Sequence, residues 1–145
     1  MVTQRVPRLL IAERNPNVRS FLSREFSREG YAVRTAKNGF ELVKAIHSGE
    51  QPDLIVLDLD VPYLEGGATV ELLQRHKILI PIVIHSLGGV EPDHPLMLRA
   101  KAWVKKTGDP GQLKQVVRGL LEKHRLGAVA PVADKITDPE GDVPK

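Results

Sequence analysis

The chain has 145 residues, of which 41% are hydrophobic, 27% charged and 4% aromatic, with no cysteine and a formal net charge of +3. That length suits one domain whose core needs no covalent staple, and the lack of cysteine excludes disulfides and thiolate metal sites. The small, scattered charge excess and the scarcity of aromatics argue against a DNA-binding surface or a stacking platform for single strands.

Five short apolar runs recur along the chain, each followed by a turn and a polar stretch. The first is Leu9-Leu10-Ile11-Ala12, and it ends at Glu13, too soon after Arg5 and Arg8 to form a signal peptide. Asn15-Pro16 then supplies a cap and a first-turn proline for a helix whose apolar residues are Val18, Phe21, Leu22 and Phe26, closed by Gly30. A weaker second strand covers 31–35, and Phe40, Val43 and Ile46 mark a second helix before Gly49. The third strand is Leu54-Ile55-Val56-Leu57, followed by a short helix between Gly67 and Lys77 that carries Val70 and Leu73. The fourth strand is Pro81-Ile82-Val83-Ile84; the stretch from Ile78 that contains it falls far short of a bilayer span. Gly88, Gly89, Pro92 and Pro95 leave its connection room for one or two helical turns, over Pro95 to Ala100. The fifth strand is Ala102-Trp103-Val104, and the last helix opens at Asp109-Pro110 and carries the stripe Leu113, Val116, Val117, Leu120 and Leu121. After Leu126 the composition loses its period, so residues 1–126 read as the domain and 127–145 as a flexible tail.

Strands alternating with helices predict an α/β fold, a doubly wound parallel sheet with right-handed crossovers. Ligands bind such sheets at the carboxyl ends of the strands. Those ends carry Glu13 and Arg14, then Asp58 and Asp60, then Ser86, then Lys105 and Lys106. Any one of these alone reads as a solvated loop residue. Four strand ends that bring carboxylates, a hydroxyl and an ammonium to one edge read as a site.

With those residues in that order, the chain resembles the receiver domain of two-component response regulators over roughly residues 8 to 125. The segments that carry the resemblance are 52–62 followed by Gly66, 81–86, 100–106 and 9–16. It implies a five-stranded flavodoxin-like sheet of strand order 2-1-3-4-5 with helices on both faces. It further implies that Asp58 is the nucleophile that becomes an aspartyl phosphate. Mg²⁺ would be held by Glu13, Asp58 and the backbone carbonyl of Asp60. Lys106 and Ser86 would bind the phosphoryl oxygens, and Trp103 would stand where the family has an aromatic whose rotamer follows the serine; half-buried packing is an equal reading of Trp103.

Four departures qualify those implications. Arg14 occupies the position of the second acidic residue, the direct metal ligand, and a guanidinium repels a cation. Three roles are open to it: pairing with Asp58, clamping the phosphoryl group in the metal's place, or pointing to solvent while Glu13 reaches the metal. Weakened Mg²⁺ binding is the expectation. Leu87 stands where a small residue admits phosphate, so it narrows the entrance. The proline-broken fourth connection shortens the usual output surface, and Thr107 replaces a proline that commonly follows the lysine. The five histidines, His85 among them, read as surface or packing residues.

The resulting expectation is a cytoplasmic, stand-alone receiver domain, a signalling module rather than an enzyme, phosphorylated on Asp58 by a sensor histidine kinase or phosphotransfer protein and switching its binding to a downstream protein. It binds neither nucleic acid nor membrane directly. The alternative is a degenerate receiver, a protein-interaction module independent of phosphorylation.

Overall fold

The continuous apolar runs become strands because both faces of each are covered, which is what a parallel sheet between two helical layers requires. In the computed structural model, which describes residues 5–64, 80–88 and 94–129, the strands are β1 (Arg8–Ala12), β2 (Ala32–Ala36), β3 (Leu54–Leu57), β4 (Ile82–Ser86) and β5 (Ala102–Lys105). All neighbours pair in parallel, in the order β2-β1-β3-β4-β5. The described helices are α1 (Pro16–Arg28), α2 (Gly39–Ile46), α3 (Pro95–Arg99) and α4 (Gly111–Val129). This is the doubly wound α/β architecture expected from the sequence. The helix expected between Gly67 and Lys77, and the stretch 130–145, lie outside the described residues.

Alternation along the strands divides the core into two layers. Leu10, Ala12, Ile55, Leu57, Ile82 and Ile84 pack with Leu42, Ala45 and Ile46 of α2 and Leu96 of α3. Leu9, Ile11, Leu54, Val56, Val83 and Val104 pack with Leu22 and Phe26 of α1 and Leu113 and Val117 of α4. One further step of this alternation puts Glu13, Asp58, His85 and Lys106 on the α1–α4 side of the sheet, at its carboxyl edge.

The ends of the helices follow from local chemistry. The Asn15 side chain accepts hydrogen bonds from the N–H groups of Asn17 (2.9 Å) and Val18 (3.1 Å), two of the donors that a first helical turn leaves unpaired. Gly30 ends the α1 turn with φ +98°, a conformation that glycine adopts without a Cβ clash. Asp109 Oδ1 accepts from the N–H of Gly111 (2.8 Å), so Pro110 precedes the helix instead of lying in its first turn.

Four details differ from the sequence reading. Phe40 is not a core residue of α2: it is exposed and stacks on Tyr63 with ring centroids 4.8 Å apart, while Leu42, Ala45 and Ile46 are buried. A helix turns 3.6 residues at a time, so a strict three-residue spacing drifts off the buried face. β2 is shifted to 32–36 and, as an edge strand, buries only Ala36 fully. β4 runs two residues further than its apolar run and takes in His85 and Ser86. Finally, α4 continues through Val129, so the helix passes the expected boundary at Leu126; Gly127-Ala128-Val129 contains no proline, and the next one is Pro131.

Candidate functional site

Sheet hydrogen bonding runs one residue past several strands and fixes the backbone of the site. The N–H of Glu13 donates to the Ala36 carbonyl (3.0 Å), that of Asp58 to Ala12 (2.9 Å) and that of Lys106 to Ser86 (2.7 Å). Their side chains therefore leave the sheet at defined heights on its α1–α4 side.

There, one ammonium serves two buried carboxylates. Glu13 and Asp58 are each 1% exposed. Lys106 Nζ lies 3.0 Å from Glu13 Oε1, 3.1 Å from Glu13 Oε2 and 3.4 Å from Asp58 Oδ2. Glu13 Oε2 also accepts from the N–H of Asn15 (3.0 Å). Asp58 Oδ2 accepts from the N–H of Arg14 (3.2 Å), and Asp58 Oδ1 from the N–H of Asp60 (3.0 Å). Two carboxylates out of water would repel one another strongly; the shared ammonium and the backbone donors offset that cost.

Arg14 closes the other side. Its Nε lies 3.6 Å from Asp58 Oδ2, and its terminal nitrogen lies 3.6 Å from Asp60 Oδ2. Arg19 pins the turn from which Arg14 projects, donating to the carbonyls of Glu13 (2.8 Å) and Arg14 (3.4 Å). Of the three roles open to Arg14, the one in which it points to solvent while Glu13 takes a metal does not match this arrangement: Glu13 faces Lys106, and Arg14 pairs with Asp58 and Asp60.

The donor set decides whether a divalent ion fits. Asp58 Oδ2 has two cations within 4 Å, and Arg14 lies against Asp58 and Asp60, where a metal would gain most. Among the described residues, no group of three or more acidic or histidine side chains is placed to hold a metal. Glu13 Oε1 lacks an aligned hydrogen-bond donor among the described residues, but it already lies against the Lys106 ammonium. In this arrangement the residues do not fit Mg²⁺.

Ser86 and Trp103 form a separate pair at the β4–β5 end. Trp103 Nε1 donates to Ser86 Oγ at 2.8 Å, with the serine buried and the indole half-exposed. Ser86 is thus turned toward the aromatic, not into the carboxylate cluster. Leu87 is exposed and, with Val18, Phe21 and Leu22, lines an open cleft of about 900 Å³ beside Arg14 and Lys106.

His85 is a site residue that the sequence reading missed. It is buried, 6% exposed, and its Nδ1 has no hydrogen-bond partner among the described residues. Burial pushes its pKa down to about 4, and the Lys106 ammonium adds to that, with Asp58 opposing. The available signal was its place in the strand: a polar residue two positions after Val83, at the alternation step that faces Asp58.

Comparisons with known proteins bear on the family and the fold. The sequence pattern of the response regulator receiver domain matches residues 9–118. The Bacillus subtilis regulator of alkaline phosphatase synthesis, PhoP, is 29% identical over 123 residues, which cover 83% of this chain and 51% of PhoP. The chain spans about half the length of the curated relatives it matches. Among solved structures, the response regulator TrrA of Thermotoga maritima with Mg²⁺-BeF superimposes with a TM-score of 0.70 at 29% identity, covering 79% of this chain and 99% of that one. TrrA in complex with the histidine kinase ThkA superimposes with a TM-score of 0.69 at 30% identity, covering 80% of this chain and 99% of that one.

Proposed function

The chain belongs to the response regulator receiver domain family, and from that premise we propose that it accepts a phosphoryl group on Asp58 and so switches its binding to a partner protein. The observation that carries the proposal is the Lys106 ammonium beside Asp58 and Glu13, although Glu13 and Lys106 stand 93 positions apart in the chain. Phosphoryl transfer needs positioning and charge neutralisation more than covalent assistance, and a nucleophilic carboxylate beside two cations meets that need.

The donor would be a sensor histidine kinase or a phosphotransfer protein, as ThkA is the partner of TrrA. That makes the site of action cytoplasmic and the chain a signalling module, with no direct contact with nucleic acid or membrane. No described helix is long and apolar enough to cross a membrane. Mg²⁺ would bind weakly at best, because Arg14 repels it. Ser86, released from Trp103, would turn to the phosphoryl group and join Lys106 there, giving the two conformations whose populations shift. Leu87 would shape the approach to the site. The module spans residues 1–126 together with the helical turn that reaches Val129. Action as a stand-alone unit is part of the proposal, although the curated relatives are about twice as long.

The pairing of Arg14 with Asp58 also favours a second reading, a degenerate receiver locked by its own arginine and binding its partner without phosphorylation. Intact mass after incubation with acetyl phosphate or a histidine kinase separates the two. A phosphoryl adduct that disappears in Asp58→Asn is expected. No adduct under any condition would leave the locked module as the function.

A further inference from the structure

Oδ2 of Asp58 lies 3.6 Å from Arg14 Nε and 3.4 Å from Lys106 Nζ. Among the described hydrogen bonds, Oδ1 accepts only the N–H of Asp60, so it is the oxygen with a lone pair open for attack. Three carboxylates (Glu13, Asp58 and Asp60) against two cations leave the cluster with one net negative charge. A divalent ion would have to enter beside the Arg14 guanidinium, whose positive charge repels it. From this geometry we infer that Arg14 takes the place of the divalent metal, so that Asp58 is phosphorylated without one; the inference rests on Asp58 being the phosphoacceptor.

The chemistry of arginine suits that role. Its guanidinium is always charged, and its fork matches two phosphoryl oxygens at once. Its present hold is weak where it needs to be: Arg14 is 47% exposed and its partner Asp60 is 64% exposed, and water screens such a pair. The guanidinium therefore leaves Asp60 at little cost and turns onto an incoming phosphoryl group. Lys106 is 12% exposed and held by Glu13, so it remains a fixed charge beside Asp58.

With an acyl phosphate as donor, the step balances without a metal or a proton. Oδ1 of Asp58 forms the new bond to phosphorus while the bond from phosphorus to the acyl oxygen breaks. The electron pair of the broken bond leaves on the acyl carboxylate. The donor dianion and one carboxylate become an aspartyl phosphate dianion and another carboxylate. Arg14 and Lys106 neutralise the equatorial oxygens on the way.

The test measures the rate of adduct formation on the whole chain by intact mass, with acetyl phosphate as donor, in EDTA and again in millimolar Mg²⁺. Asp58→Asn gives the background. The wild-type rate is expected to be the same in both buffers. Arg14→Ala should react about 100-fold more slowly in EDTA, the size of loss seen when one charge-stabilising donor is removed. Arg14→Asp should react only with Mg²⁺. A second readout needs no phosphorylation: Mg²⁺ titration followed by calorimetry and by the emission of Trp103, the one tryptophan. Arg14→Asp should show saturable binding and the wild type none. A wild-type adduct that forms only with Mg²⁺, or saturable Mg²⁺ binding by the wild type, overturns the inference and leaves Asp58 as phosphoacceptor. If neither the wild type nor Arg14→Asp forms an adduct in any buffer, the phosphoacceptor reading itself falls. The decisive comparison uses the wild type alone, so it does not depend on how any variant folds.

Discussion

His85 shows how much a single side chain at a strand end is set by its surroundings. Its imidazole stays neutral in the fold because burial and the Lys106 ammonium both disfavour a proton. In the unfolded chain the same group takes up a proton below pH 6.5, while the folded protein refuses it until about pH 4. The unfolded state thus binds more protons in that window, and stability falls as pH drops through it. The loss reaches about 3 kcal/mol at most, at about 1.4 kcal/mol per pH unit. Urea unfolding at pH 7 and 5 should show this slope in the wild type and a shallower one in His85→Leu; equal slopes would mean that folding leaves the protonation of His85 unchanged. Lys106 has the opposite character. Its charge is needed because it separates two carboxylates that burial would otherwise set against each other.

Among the elements, α1 does the most to place the site. Its cap residue Asn15 sits directly after the Glu13-Arg14 turn, so the cap holds the helix start and the site loop together. Asn15→Ala should destabilise the domain by about 1 kcal/mol in chemical denaturation, the usual value of a lost cap; a change near zero would show that Arg19 alone holds the turn. α1 is also tied to α4 by Lys114, which lies 2.8 Å from Glu25 and 3.5 Å from Glu29. Existence and order of the described elements were legible in the sequence, because apolar runs and 3.6-residue stripes are local patterns. The exceptions have local causes too. Phe40 fitted a three-residue spacing but found an aromatic neighbour, Tyr63, that sequence distance hides. His85 was read as a bystander because its type says nothing about which face of β4 it occupies.

At the scale of the whole molecule, the sheet separates two cores that share no side chain among the described residues. Phe26 fills the α1–α4 layer and Leu42 the α2–α3 layer, both fully buried. Phe26→Ala should cost about 3–5 kcal/mol and Leu42→Ala about 2–5 kcal/mol. The double variant should equal their sum to within about 0.5 kcal/mol, because the strands stand between them; a larger departure in denaturation experiments would show that the layers communicate through the sheet. The same wall accounts for the site, since Asp58 and Lys106 lie on one side of it and the Ser86–Trp103 pair stands apart. By itself the sequence determined the fold class and which polar residues follow each strand, because periodicity and residue type act locally; Arg14 stood out only against the family that the chain resembles. Only the tertiary structure decided that Lys106 serves Glu13 as well as Asp58, that Arg14 turns to Asp58 and Asp60, that Trp103 holds Ser86 and that His85 is buried beside them. Those outcomes depend on distances between segments far apart in the chain, which no local pattern encodes.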